Sequence, residues 1–269
     1  MKKAINILII FWISLSCMGN DTYVDSLKSK INSSNDKEQL ISANLKLGRY
    51  YISKSPGEAL SYINQAQKIS EQIQNMPYLF DSYKLAGITY KNIGNFEEAV
   101  QSHMKALEIA HELNDKSLES VCYNNLGSVY QAQENLDKAL EFYKQSLDIE
   151  EKLQNKSNIS LRQYNIGTVY ELKDSLDLAY SYYYNSLLIE QEVDNKEGMY
   201  FAYYGLAGVD IQRGDYKRAE ESLKKALYLS EELNDKGGQA VCNIELGKLF
   251  KEKAELNLAE SFIKKGISQ

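Results

Sequence analysis

Proline, histidine, cysteine and tryptophan are all scarce in this 269-residue sequence, at two, two, three and one residues. The two histidines, His103 and His111, stand two helical turns apart, and no Cys or His spacing resembles a ligand set, so no metal site is nominated. A general base also needs a neighbour in reach and a group to orient it, and none is apparent, so no catalytic residue is named and no enzyme activity is expected. Every glycine that recurs is explained by packing or turns, which leaves no phosphate-cradling loop and no cofactor. Cys122 and Cys242 lie 120 residues apart at equivalent places of the pattern below, and they are expected to be small buried residues out of disulfide reach. With only Pro56 and Pro77 as interruptions, long stretches are free to be helical. Basic residues are outnumbered, 31 to 37, for a net charge of −6, and without Lys2 and Lys3 the imbalance is 29 to 37. That is no footprint for nucleic acid or an anionic lipid surface.

The one long apolar run is at the start. Lys2 and Lys3 precede a mostly apolar stretch from Ala4 to Leu15, closed by Ser16 and Cys17. It is short for a membrane-spanning helix, which needs about 20 residues. Residues 1–17 resemble a bacterial lipoprotein signal, in which lipidation of Cys17 anchors the mature chain. Ser14 stands where such signals usually carry leucine, so simple cleavage and an uncleaved anchor remain open. The expected location is the cell envelope, either periplasmic or as a membrane-anchored lipoprotein.

What fills the rest is a repeat. Ala59, Ala99, Ala139, Ala179, Ala219 and Ala259 recur every 40 residues. Twelve residues earlier stand Gly87, Gly127, Gly167, Ala207 and Gly247, and seven later come Ala66, Ala106, Ser146, Ser186, Ala226 and Gly266. Tyr90, Tyr130, Tyr170 and Phe250 follow the glycine position by three. Apolar residues at helical spacing divide each unit into two helices, with Asn95, Asn135, Ser175, Asp215 and Glu255 placed to cap the second, and Glu98 placed to complete a capping box with Asn95. Repeats are bounded at 37–76, 77–116, 117–156, 157–196, 197–236 and 237–269, after a short amphipathic capping helix over 21–35. Three departures stand out. The first repeat is one residue short, which is assigned to its turn through Ser55, Pro56 and Gly57. The fifth has Asp210 in place of the aromatic, read either as a solvated or hydrogen-bonded substitution or as a polar contact for a ligand. The sixth ends without a polar covering helix, so a partner or a second copy is expected there as a homodimer contact, or else the helices fray or the chain is a shortened relative of a longer protein. The remaining carboxylates, such as Glu97 and Glu98, are expected to be solvated beside lysines.

Small residues at these three places, five or six times in register, resemble the tetratricopeptide repeat family, in its 40-residue form seen in bacterial envelope proteins and in the sensor regions of histidine kinases and helix-turn-helix regulators. The resemblance implies an all-α fold, an α-solenoid of six helix-turn-helix repeats forming a right-handed superhelix. It also implies a concave groove, lined by the first helix of each repeat, that binds a protein or peptide. Counting from the glycine position places Lys84, Asn124, Tyr164 and Tyr204 three before it, Asn125 and Asn165 two before, and Thr168 one after. In related arrays an asparagine two before the glycine bonds the backbone of an extended peptide, while tyrosines offer flat apolar area with a polar tip. The basic set that clamps a peptide carboxylate is lacking. The implied function is a non-catalytic binding scaffold of the bacterial envelope; the alternative is the sensory part of a signal-transduction system.

Overall fold

A computed structural model describes residues 20–268, so the export segment 1–17 and Cys17 lie outside the described residues. The chain divides into two compact units, one ending at Ile93 and one beginning at Gly94. The first unit holds α1 (Asn20–Ser33), α2 (Lys37–Tyr51), α3 (Pro56–Gln72) and α4 (Met76–Asn92). The second holds α5 (Phe96–Glu112), α6 (Lys116–Ala132), α7 (Leu136–Leu153), α8 (Lys156–Leu172), α9 (Leu176–Glu192), α10 (Lys196–Arg213), α11 (Tyr216–Glu232), α12 (Lys236–Glu252) and α13 (Leu256–Ser268). The fold is all-α and of the α-solenoid class, with contacts running from each helix to the next within each unit. No helix among the described residues is long and apolar enough to cross a membrane.

One device ends nearly every helix. From Gln74 to Ala254 a residue with positive φ recurs every 20 positions: Gln74, Gly94, Asn114, Glu134, Gln154, Asp174, Asp194, Gly214, Asn234 and Ala254. The left-handed residue turns the chain so that the next N–H reaches back five residues, as in Asp115 to the Ala110 carbonyl at 3.1 Å and Asn135 to the Tyr130 carbonyl at 2.9 Å. That same next residue then starts the following helix. The side chains of Asp36, Asn75, Asp115, Asn135, Asn155, Asn195 and Asp215 accept a first-turn backbone N–H. Asn95 and Ser175, expected to do the same, make no such bond, and so the capping box drawn between Asn95 and Glu98 lacks its first half.

The small residues sit where helices meet. The alanines of the 40-residue pattern are fully buried from Ala59 to Ala219, and Ala66, Ala106, Ser146 and Ala226 are as inaccessible. Large side chains fill what they leave. Three aromatic pairs stack between paired helices: Tyr130 on Phe142 at 5.4 Å, Tyr170 on Tyr182 at 5.4 Å and Phe250 on Phe262 at 5.3 Å. In the fifth repeat both partners are replaced, by Asp210 and Ser222, so that pair is absent.

Two expectations are corrected. The missing residue of the first repeat is lost from helix α2, which has 15 residues against 17 in α4, while residues 52–55 make a turn longer than the one at 93–95. Glu119, Glu150, Glu190 and Asp210 are buried, not solvated. Ser120 donates to Glu150 Oε1 at 2.5 Å, and Ser160 donates to Glu190 Oε1 at 2.5 Å one repeat on, which gives each carboxylate a hydroxyl partner across the helix interface.

Candidate functional site

The first helices of successive repeats in the second unit are α6, α8, α10 and α12, and side chains reach directly from one to the next. Asn165 Nδ2 on α8 donates to Asn124 Oδ1 on α6 at 2.8 Å. Gln212 Nε2 on α10 donates to Glu171 Oε1 on α8 at 2.6 Å. Both bonds span 41 residues, which is one repeat plus one position, because the residue facing a neighbour across parallel helices is offset along the axis. The first bond uses one donor of Asn165 and one lone pair of Asn124. It leaves the amide of Asn124 and the carbonyl of Asn165 for another partner.

Tyr183 of α9 is the wedge behind this face. A Cβ added at Gly167 on α8 or at Gly205 on α10 would lie 2.9 Å from its ring, so the ring fits because both neighbours are glycine. Its hydroxyl donates to Glu171 Oε2 at 2.7 Å and lies 3.3 Å from Thr168 Oγ1, while Thr168 Oγ1 donates to the Tyr164 carbonyl at 3.1 Å. Tyr164 leans on this wedge, its ring 5.2 Å from that of Tyr183 and 6.1 Å from that of Phe201. Tyr204 stacks on Tyr200 at 6.4 Å. Burial, and then the charge of Glu171, raise the Tyr164 phenol above its ordinary value; burial leads for Tyr204 as well. Both stay protonated at neutral pH and act as neutral hydrogen-bonding groups.

The structure thus gathers Asn124, Tyr164, Asn165, Thr168 and Tyr204 in one unit, and Asn125 is half-buried on the same helix as Asn124. Lys84 is placed differently. It lies on α4 in the first unit, 2.5 Å from Asp81 and 5.3 Å from the Phe80 ring centre. Counting four after the glycine position also places Glu171 on this face, whereas Tyr183, Phe201 and Gln212 were not nominated from the sequence. The signal available was the 41-residue spacing of polar pairs, which is invisible when each repeat is read in a 40-residue register.

Other sequence expectations fall plainly into place. His103 is buried and His111 is exposed at the end of α5, with Nε2 3.6 Å from Glu119 Oε2. Cys122 and Cys242 are buried and outside any disulfide, and burial pushes the Cys242 thiol up to about 12, far from a reactive thiolate.

An all-helical stack with a polar and aromatic face along its first helices defines a helical-repeat scaffold. Residues 78–152 and 202–233 match the tetratricopeptide repeat family, and the chain is a tetratricopeptide-repeat protein. Tetratricopeptide repeat protein 29 of Trypanosoma brucei brucei is 30% identical over 87 residues; the match covers 30% of this chain and 18% of that protein. Similar solved structures include a signal transduction ATPase with numerous domains and a tetratricopeptide repeat sensor, from Pyrococcus horikoshii, at 17% identity and TM-score 0.73, covering 91% of this chain and 39% of that one. The apo form of RapI is 20% identical with TM-score 0.67 over 92% of this chain and 89% of its own. A Rap protein complexed with Competence and Sporulation Factor is 14% identical with TM-score 0.70 over 92% and 79%. At these identities the likeness is one of fold.

Proposed function

We propose that the chain is a non-catalytic scaffold of the bacterial cell envelope that binds an extended peptide segment of a partner protein across α6, α8 and α10. The observation that carries the reading is the Asn124–Asn165 bond, which holds two amides side by side and leaves the Nδ2 group of Asn124 and the carbonyl of Asn165 for a further partner. An extended backbone presents a carbonyl and an N–H to match them, and the half-buried Tyr164 and Tyr204 supply apolar area beside them. The envelope location rests on Lys2, Lys3, the apolar run to Leu15 and Cys17, with a lipid on Cys17 as the anchor. A photo-reactive residue at Tyr164 is expected to crosslink a defined protein in the membrane fraction of cells, and the Asn165→Ala variant to lose that adduct. An adduct indifferent to Asn165→Ala counts against the face, and a Cys17→Ser chain that still sediments with membranes counts against the anchor.

A regulatory reading is favoured by two relatives in fold, one with a tetratricopeptide repeat sensor and one solved in complex with Competence and Sporulation Factor. In that case the crosslinked partner is a kinase, a regulator or a secreted peptide. Exposed Leu256, Leu258 and Ile267 on α13 support contact with a second copy at that helix, to be read from the molecular mass in solution.

A further inference from the structure

Glu171 is a half-buried carboxylate on this face whose two partners are both neutral. Tyr183 donates to one oxygen at 2.7 Å and Gln212 to the other at 2.6 Å. No ion pair among the described residues includes it, whereas exposed Asp177 on the next helix is paired with Arg213. Desolvation disfavours its charge, and the two hydrogen bonds from Tyr183 and Gln212 oppose that. Its negative charge acts on the hydroxyls of both Tyr164 and Tyr204 and raises both phenols. Opposite it, α10 presents bare backbone. A Cβ added at Gly208 would meet only Glu171, 3.2 Å from Oε1, so a notch is left with the carboxylate as its floor.

The charge is surplus to packing. One repeat earlier Gln131 holds the equivalent place and accepts the Tyr143 hydroxyl at 2.9 Å, as Glu171 accepts that of Tyr183. A neutral amide therefore does the same structural work. The corresponding positions Lys91 and Lys251 are basic, so the negative charge belongs to the fourth repeat alone among these first helices.

Resting on the proposal that the face binds a peptide, we infer that the Glu171 notch, facing Gly208, takes a basic side chain of that peptide, a lysine or arginine whose stem runs along the Tyr164 and Tyr204 face. The cation would complete the carboxylate that two neutral donors now hold in position, and the tyrosine faces would cover its alkyl stem and charge.

The probe is an N-acetylated, C-amidated random hexapeptide library offered to the full chain, so that only side chains supply positive charge. The wild-type protein is expected to enrich lysine or arginine at one position. A peptide resynthesised from the enriched pool, with norleucine in place of its lysine, is expected to bind about tenfold more weakly, equivalent to about 1.4 kcal/mol. Glu171→Gln should bind the two peptides equally while keeping the wild-type circular dichroism and urea midpoint, as the Gln131 arrangement indicates. A basic preference that persists in Glu171→Gln, or retained peptides with no basic preference, overturns the inference and leaves the binding face standing. Retention of no peptide by the wild type overturns both.

Discussion

Asp210 is the residue at which the repeat pattern breaks, and its surroundings decide between the two readings its sequence position allows. The side chain is 2% exposed, Oδ2 lies 3.7 Å from Arg218 Nε, and Oδ1 has no hydrogen-bond partner. A group closed off from solvent presents no contact to a ligand, so it is a buried substitution in a repeat that has lost its aromatic pair. Burial raises the carboxyl above the ordinary Asp range, against the opposing charges of Arg218 and Arg213 and with Asp215 adding to the rise. A folded-state value above the unfolded one means that the native state holds the proton more tightly. The ionised group therefore costs stability at neutral pH, and that cost disappears as pH falls through the carboxylate range. Asp210→Asn is expected to stabilise the protein at pH 7 by roughly 0.5–1 kcal/mol, a figure kept small because half-exposed Arg218 screens the charge and loses little when unpaired. The difference between variant and wild type should close below about pH 4. Urea unfolding at pH 7 and pH 3.5 checks both signs, and a variant destabilised at pH 7 but not at pH 3.5 would mean that the Arg218 contact outweighs the burial.

Between elements, the strongest polar joint is built on four side chains from three helices. Ser120 of α6 and Ser146 of α7 share a hydrogen bond at 2.9 Å, Ser120 donates to Glu150 of α7, and Arg162 of α8 donates from Nε to Ser146 Oγ at 2.7 Å with NH2 3.6 Å from Glu150. Arg162 and Glu150 are 3% and 0% exposed, so removing one strands the other in a dry interface. Arg162→Ala is expected to cost about 3–5 kcal/mol of unfolding free energy, whereas Lys152→Ala, which breaks an exposed pair with Asp148 on the same helix α7, should cost about 0.5 kcal/mol or less. Denaturant titration of the two variants checks the contrast. This joint also shows how far the elements could be read in advance. Helix ends were legible because Asn and Asp caps and the 40-residue alanines act locally, and Ser146 and Ser186 were correctly placed at a close approach. Glu150 looked like any surface carboxylate because its partner, Ser120, lies 30 residues away on another helix, and nothing within α7 records that. The proposed binding face was legible only as positions, Asn124 on α6, Tyr164, Asn165 and Thr168 on α8 and Tyr204 on α10. Its chemistry was not, because Tyr183 and Gln212 act on it from neighbouring helices.

At the scale of the larger unit, from Gly94 onward, contacts run from each helix to the next, with α8 also touching α10. Such a stack has stability that is a sum of neighbour terms, and no central core shares the load among distant repeats. A local defect should then stay local. Gly198 offers a clean one: a Cβ there would lie 2.5 Å from both carboxylate oxygens of Glu190, which is itself buried and held by Ser160 at 2.5 Å. Neither the carboxylate nor the α10 backbone can yield without disturbing the α8, α9 and α10 contacts, so Gly198→Ala is expected to cost about 1–3 kcal/mol. Hydrogen exchange followed by mass spectrometry should show protection falling by a corresponding ten- to hundredfold in α8 to α11, with α6 and α13 changed far less, because each lies at least one intact interface beyond the defect. Protection lost evenly from α6 to α13 would instead mean that the stack opens as one cooperative block. Under that outcome the proposed face at Asn124 and Asn165 could not hold its geometry independently of repeats remote from it.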